Sequence, residues 1–435
     1  MSDKVSSASQ NVLKAKDTKS NFGKRGWLLV IGMIICTFVA GACGNDGLNT
    51  IIPKFAERFG WERATLTVLA SVSGYISAVA LAVMGFLVQK FGARNLLGFT
   101  MACLAVAIFG WGFATTLPTY FAVIIILYSV SNGVGLCMGI LVSNWFPTKK
   151  GLVMGWTTMG FNLATVGINW LLVLGWNTMG WHGGFNLFAA VAAVGFLMVL
   201  LFIREFPEDC GCFPDNDRSL TPEKAQAVRD EGMRYMQTSP WTLKKLLSTP
   251  QTWLIAIVYG CIMMMVVGCI SQLVPTVTSY GFTQTFALTC MSIAGVCGFF
   301  GSYITGWVDT KFGTKRATIL MMCWEILTVL VFVAPLGNWS VILATVMLGV
   351  IIGGANNLCA SMTTQVFGRY DQKKAYSVIW TIFTVVRSCG VGLVGVIAAR
   401  TGTYAASWAA LGGVIVVALF LCTRIRNECI GRVDV

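Results

Sequence analysis

Residues 375–399 read AYSVIWTIFTVVRSCGVGLVGVIAA, and Arg387 is the only charged residue among them. As a helix that rises 1.5 Å per residue, this run is about 37 Å long, enough to cross a hydrocarbon core about 30 Å thick. Arg387 would then lie about 18 Å from the basic end of the run, near the bilayer midplane. A guanidinium stays protonated there and costs about 2.5–3.5 kcal/mol to insert, so it is expected to face a wet cavity, a partner or a substrate.

The composition of the whole chain is that of an integral membrane protein. Of its 435 residues, 56% are hydrophobic and 11% are charged, and the mean hydropathy is +0.73. A soluble protein of this length needs a more polar surface. The apolar runs are long and continuous rather than alternating, which favours helices over a β-barrel. The net charge of +13 is carried largely by short loops, so we attribute it to membrane topology and not to nucleic-acid binding.

Charge-poor runs predict twelve transmembrane helices, six on each side of a polar central segment. The predicted fold class is therefore an all-α membrane protein with two six-helix, pseudo-symmetric halves. Lys and Arg concentrate in both tails, the central loop and alternate short loops, which predicts that these parts are cytoplasmic and that the protein resides in the cell membrane. The expected parts are an N-terminal tail (1–25), a first half (26–203), a central loop (204–249), a second half (250–424) and a C-terminal tail (425–435).

An internal repeat supports the division into halves. The sequence GFLVQKFG at 85–92 recurs as GWVDTKFG at 306–313, which is 221 residues later. The pair WT at 156–157 recurs at 380–381, which is 224 residues later. Parallel repeats of six helices are typical of transporters whose halves rock around a site near the bilayer midplane.

The first copy of this repeat carries a loop motif by which the chain resembles the major facilitator superfamily. The family pattern after the second helix is Gly-x-Leu-x-Asp-Arg/Lys-x-Gly-Arg-Arg/Lys. Gln89 stands where the family usually has Asp, and the acid of the second copy, Asp309, comes one place early in the stretch that ends at Gly313. The resemblance implies that these loops gate the cytoplasmic side, and the two departures weaken the expected charge latch. The positions that match the pattern are Gly85, Leu87, Lys90, Gly92 and Arg94.

Within the superfamily, the chain resembles the oxalate–formate antiporter and monocarboxylate-porter groups. The stretch 239–253, SPWTLKKLLSTPQTW, is similar to their entry into the seventh helix, and Arg387 matches the basic residue that the oxalate–formate group has on its eleventh helix. Dicarboxylate members of that group also use an arginine on the eighth helix. No Lys or Arg occurs here between Ala287 and Asp309. The resemblance therefore implies a monoanion rather than a dianion as substrate.

The candidate substrate-binding residues are centred on Arg387, whose planar guanidinium matches a carboxylate bidentately. Trp380 and Thr384 share its helical face and could supply an aromatic wall, although Trp380 could equally pack against lipid. Neutral polar side chains on other helices are further candidates, and for each of them the alternative is an interhelical hydrogen bond. These neutral candidates are Asn132, Asn162, Asn357, Tyr75 and Gln272.

Asp46 and Glu325 are the candidate proton-coupling residues. For Asp46 the alternative is a hydrated helix end, for Glu325 it is neutral burial, and either could instead form a structural ion pair with Arg387. The fifteen cysteines show no spacing typical of disulfides or of a metal site, so we expect neither a metal nor another cofactor.

The combined prediction is a secondary active transporter that moves a small organic anion, a monocarboxylate, by alternating access. It would work as an antiporter or as a proton symporter, as a monomer in the bilayer. A first alternative is a larger amphipathic acid, such as a bile or aromatic acid, as substrate. An alternative of another class is a membrane receptor or sensor without transport. An enzyme is not expected, because no cluster of acid–base or metal-binding residues falls at midplane depth.

Overall fold

A computed structural model of the chain describes residues 20–217, 222–333 and 336–430. The regular structure in these ranges is helical, with sixteen α-helices. Those before the central loop are α1 (Gly23–Gly41), α2 (Gly47–Phe59), α3 (Arg63–Phe91), α4 (Ala93–Trp111), α5 (Leu117–Trp145), α6 (Lys150–Met179) and α7 (Trp181–Leu201). The central loop contains α8 (Pro222–Thr238) and α9 (Leu243–Ser248). The remaining helices are α10 (Pro250–Ser271), α11 (Leu273–Ser279), α12 (Gln284–Phe312), α13 (Thr314–Val333), α14 (Asn338–Phe367), α15 (Gln372–Thr401) and α16 (Tyr404–Thr423).

Twelve helices of the described chain are long and apolar enough to cross a membrane, as predicted. They are α1, α3 to α7, α10 and α12 to α16, six before the central loop and six after it. The run around Arg387 is one of them, α15. Each spanning helix satisfies its own backbone hydrogen bonds, which is what a hydrocarbon core demands of a chain that crosses it.

Two of these spanning helices are followed by a break and a short further helix. After α1, Gly44 leaves the helical range at φ −76° and ψ −126° before α2 begins. After α10, Gln272 has φ −113° and ψ 13° before α11 begins. The first helix of each predicted half is thus discontinuous. The helix α2 is not among the twelve predicted spans, and it buries Phe55 in an aromatic cluster with Trp181 and Tyr120.

The helices divide by packing into two compact units. The first unit comprises residues 24–141 and 157–205, and the second comprises 20–23, 142–156 and the described residues from 206 onward. The second unit therefore takes the last turn of α5 and the first two turns of α6. The predicted boundaries of the two halves, at 203 and 250, follow the order of the chain and remain a prediction.

In the first unit, close helix contacts depend on small residues. Gly160 of α6 lies directly against α1, where the Thr37 hydroxyl is 2.8 Å from the carbonyl of Thr157. Gly175 of α6 lies against the backbone of Gly183 at the start of α7. Such contacts bring backbones close enough for dispersion and weak hydrogen bonds to hold helices together in lipid.

In the second unit, α12 and α14 form the closest pair. Gly353 of α14 lies against the backbone of α12, and the Ser302 hydroxyl donates a hydrogen bond of 2.8 Å to the Gly353 carbonyl. On the far side of the unit, Trp408 stacks on Phe332 at a ring distance of 4.1 Å. The contacts between Gly353 and the backbone of α12 leave no space for a side chain at position 353.

Gly353→Val should therefore lower the melting temperature of the purified protein by several degrees. The added carbons would overlap the backbone of Gly298 and Ser302, and overpacking of this kind costs about 1–3 kcal/mol. Gly413→Val is the matched control, because a β-carbon there meets no atom within 4 Å. Equal melting temperatures for the two variants would contradict the proposed packing role of Gly353.

The predicted orientation places the central loop in the cytoplasm and the turn between α6 and α7 outside. A protease site inserted after Asp217 should be cut in inside-out vesicles and protected in right-side-out vesicles. The same site inserted after Gly180, which is exposed, should show the reverse pattern. Cleavage after Asp217 from the outer face of intact cells would refute the orientation.

Candidate functional site

The candidate site is built on one face of α15 in the second unit. Tyr376, Trp380 and Phe383 form an aromatic ladder, with ring distances of 5.3 Å between the first two and 4.6 Å between the last two. The Arg387 guanidinium lies 5.9 Å from the Phe383 ring centre. The helical spacing of these positions turns them all to one side. Arg387 thus continues the ladder toward the midplane.

Burial separates this face from lipid. Tyr376 and Phe383 are fully buried and Trp380 is 5% exposed, which does not fit the alternative that Trp380 packs against lipid. Arg387 is partly buried. The Thr384 hydroxyl is buried and donates 2.8 Å to the Trp380 carbonyl, so its proton is used within the helix.

Two donors on the ladder lack an acceptor within the described residues. They are the Tyr376 hydroxyl and the Trp380 indole N–H, both buried. A buried donor without a partner costs about 1–3 kcal/mol. Each of these groups could donate a hydrogen bond to an acceptor from outside the described residues.

The structure describes the surroundings of one of the two candidate acids. Glu325 is fully buried on α13, and neither of its carboxyl oxygens has a hydrogen-bond partner among the described residues. An ion pair between Glu325 and Arg387 is therefore not formed, and a carboxyl group in this setting is expected to stay neutral. The side chain of Asp46 lies outside the described part of the chain.

Of the neutral candidates, two bridge helices. The Asn132 amide donates 3.2 Å to the Ser77 hydroxyl and so links α5 to α3, both in the first unit. The Asn357 amide donates 3.2 Å to the Ser302 carbonyl and links α14 to α12, both in the second unit. These contacts match the alternative reading of each residue, an interhelical hydrogen bond.

The other neutral candidates lie in varied settings. In the first unit, Asn162 is buried in α6, whereas Tyr75 on α3 is 70% exposed. In the second unit, Gln272 is partly buried at the break between α10 and α11. Broken helices often expose main-chain groups to a transported ligand, so Gln272 remains a candidate on geometric grounds.

Of the two loops predicted to gate the cytoplasmic side, called gating loops here for that prediction alone, the first lies in the first unit. Gly85 is buried in α3, Lys90 lies 5.3 Å from the Phe91 ring centre, and Gly92 turns the chain at φ +86°. The side chain of Arg94 donates 2.8 Å to the Ile203 carbonyl. Gly92 thus forms the turn from α3 into α4, and Arg94 ties the start of α4 to the end of the unit's last helix.

An acid that the sequence analysis missed holds the start of α4. The Glu205 carboxylate accepts from the backbone N–H groups of Ala93 and Arg94 at 3.0 and 2.8 Å. A negative charge at a helix N-terminus is favourable. Glu205 follows the last apolar residues of α7, but nothing in the local pattern indicates that it would reach α4, more than 100 residues earlier.

The second gating loop lies in the second unit, and its acid reaches a helix start despite its shifted position. Gly313 turns the chain at φ +91°. Asp309 is buried against Gly151 in the first turn of α6. Next to it, Thr310 accepts from the Leu152 N–H at 2.9 Å. The sequence analysis named Asp309 but not Thr310, whose role depends on the fold.

Comparison with known proteins agrees with the architecture. The family model of the Major Facilitator Superfamily matches residues 29–324. The chain belongs to the major facilitator superfamily. It is accordingly a membrane transporter of small solutes and not an enzyme. The solved structure of the proton:xylose symporter XylE bound to 6-bromo-6-deoxy-D-glucose has a TM-score of 0.74 with this transporter, at 12% identity over 93% of this chain and 97% of that one.

Two relatives align over most of the transporter. The oxalate:formate antiporter of Oxalobacter formigenes is 23% identical over 390 residues, which is 87% of this chain and 86% of the relative. The MFS-type transporter YhjX of Escherichia coli strain K12 is 21% identical over 390 residues, 86% of this chain and 88% of the relative.

Among the described residues, no group of three or more His, Cys, Asp and Glu side chains lies together in a way that could hold a metal ion. The chemistry that the α15 face offers is therefore that of a guanidinium, two unpaired donors and an aromatic surface. This set can bind an anion that has an apolar part.

Proposed function

We propose that this transporter carries a small organic monoanion, a monocarboxylate, and that Arg387 binds its carboxylate. The observation that carries the proposal is that Arg387 lies at the end of an aromatic ladder on one face of α15, and that two buried donors of this ladder have no acceptor in the described chain. A guanidinium and a carboxylate form two parallel charge-assisted hydrogen bonds. The aromatic rings would contact the apolar part of the acid.

The charge count of the second unit favours a monoanion. Arg387 is the only Lys or Arg in the run 375–399, and the segment of α12 between Ala287 and Asp309 contains neither. A dicarboxylate bound beside Arg387 would find no second Lys or Arg in these two segments for its other carboxylate. The named activity of the Oxalobacter formigenes relative, oxalate:formate antiport, supports a carboxylate as the substrate class.

Binding of a monoanion would also help the carrier to change conformation. A guanidinium near the midplane is costly to keep in every state in which it loses water. A bound carboxylate would neutralise it, so the loaded carrier would pass through an occluded state more easily than the empty one. This asymmetry would favour exchange of one anion for another. A proton carried together with the substrate is the alternative coupling.

Arg387→Gln should abolish monocarboxylate binding, whereas Arg387→Lys should weaken it about ten- to a hundredfold. The lysine keeps the charge but loses the planar fork, and a charge-assisted hydrogen bond is worth about 1.5–3 kcal/mol. Calorimetric titration of the purified variants with formate, acetate and butyrate measures the effect. Arg400→Gln is the matched control, because Arg400 lies on the same helix and is exposed.

Melting temperatures of the same samples separate binding from folding. A stable Arg387→Gln protein with unchanged affinity would refute the anion site. A destabilised Arg387→Gln protein that keeps its affinity would instead indicate a structural role for Arg387.

The stacked rings of Trp380 and Phe383 favour a second candidate substrate, a larger aromatic or amphipathic acid. Apolar contact contributes about 25 cal/mol per Å², so affinity should rise steadily from acetate to benzoate if the ladder lines an open site. An optimum at the smallest acids would exclude this candidate.

Counterflow of labelled acid into proteoliposomes tests transport itself, and its absence in a protein that binds the acid would favour a receptor.

A further inference from the structure

Two loops of the second unit hold equivalent places in the sequence repeat. One joins α5 to α6 and leads through Lys149 to Lys150, and the other joins α14 to α15 and leads to Lys373 and Lys374. Both loops are contacted by a single segment of the central loop, residues 206–216, here called the clasp. The clasp thus connects two positions that the repeat relates to each other.

The first anchor of the clasp is Asp215. Its carboxylate accepts from the backbone N–H of Thr148 at 3.0 Å and of Lys149 at 2.9 Å. These N–H groups belong to the N-terminal end of α6, where a negative charge is favourable. Burial raises the pKa of Asp215 above its ordinary value, and the two backbone hydrogen bonds oppose that shift.

Backbone strain accompanies this anchor. Asp215 and Asn216 have φ values of 56° and 55°, in the left-handed region that costs a residue with a β-carbon about 1 kcal/mol or more. The Asn216 amide also donates 3.3 Å to the Asn21 side chain, just before α1. The chain adopts an unfavourable conformation here and gains from it the contacts to the start of α6.

The second anchor joins the clasp to the loop between α14 and α15. Glu208 and Arg369 form an ion pair of 3.1 Å, with side chains only 3% and 4% exposed. The Phe206 ring centre lies 5.5 Å from the same guanidinium. Removal of one partner would leave the other as an uncompensated buried charge, which is strongly destabilising, so loss of Glu208 should disrupt this anchor.

The helix α8 extends the second anchor. Its Tyr235 hydroxyl donates 2.7 Å to Asp371, and the Ser239 hydroxyl donates 2.6 Å to the other oxygen of the same carboxylate. Gly232 of α8 lies directly against the Tyr370 ring. The central loop is therefore packed on the start of α15 and is not an unattached linker.

The segment 142–156, to which Asp215 of the clasp is bonded, lies against α12 and α14. The Ser143 and Thr364 hydroxyls are 2.8 Å apart, and the rings of Trp156 and Tyr303 are centred 5.2 Å apart. Gly155 lies directly against the Ser302 carbonyl. Alternating access requires helix ends on one side of the membrane to separate and close in turn, and separation here would have to break the Asp215 anchor.

We infer that the clasp holds the ends of α5 and α6 closed against α12 and α14, and that release of Asp215 from the start of α6 permits this side to open. The device acts on the conformational equilibrium of the transporter and does not depend on which substrate it carries.

Hydrogen–deuterium exchange of the purified full-length protein tests the inference without a substrate. Asp215→Ala should increase exchange about 2- to 30-fold across 142–156 and the facing part of α12, 302–310, the range expected for loss of one capping side chain. Glu208→Gln should affect the same two regions. Loss of either anchor releases the same clasp. The double variant, Asp215→Ala with Glu208→Gln, should therefore exchange no faster in these regions than the more affected single variant.

Glu223→Ala and Glu223→Gln are matched controls, because Glu223 is an exposed acid of the central loop and should leave exchange unchanged. Helix α4 serves as an internal folding reference, and Asp215→Asn, which keeps one acceptor oxygen, should fall between the native protein and Asp215→Ala. Faster exchange confined to residues 145–150, or an additive double variant, would overturn the inference. Faster exchange in α4 of Asp215→Ala would mean that this variant is generally destabilised. In that case the exchange of residues 142–156 and 302–310 is compared in Asp215→Asn and Glu208→Gln, and the same results support or overturn the inference.

Discussion

A bilayer interior offers no water to a polar group, so each N–H, carbonyl and charge inside the bundle needs a partner within the protein or in its cargo. Most polar groups described here meet this constraint locally. Thr hydroxyls donate to carbonyls one turn earlier in their own helix, and Asn132 and Asn357 reach a neighbouring helix. The exceptions on α15 and α13 are informative for the same reason, because a group that persists there without a partner is a natural candidate for function.

The same constraint explains why the spans could be predicted from the sequence. Each spanning helix satisfies its own backbone, so its signal is a local run of apolar residues that needs no knowledge of tertiary contacts. The described chain accordingly contains the twelve spans that the charge-poor runs predicted. The amphipathic helix α2 was missed because its charged face resembles a solvent-exposed loop, while Phe55 shows its burial only once Trp181 and Tyr120 are placed beside it.

The residues of the candidate site likewise fall into those that the sequence could predict and those that it could not. Arg387 stands out in sequence because a charge in an apolar run is rare, and Trp380 followed from helical spacing. The aromatic ladder was only partly foreseen, since Tyr376 and Phe383 look like ordinary core residues without knowledge of their neighbours. Glu205, Asp215 and Thr310 contact backbone N–H groups between 66 and 158 residues away, and no periodic pattern encodes such a separation. Side chains that cap a helix distant in sequence can be identified only once the fold is known.

The helices α5 and α6 pass from one compact unit into the other without a break. An α-helix is a stiff rod, because its hydrogen bonds resist bending unless proline, a glycine pair or an inserted group weakens them. Opening of residues 142–156 would therefore have to bend α5 and α6 at that point or turn each helix as a whole, so the place where these two helices bend is as important to access as the contacts at their ends.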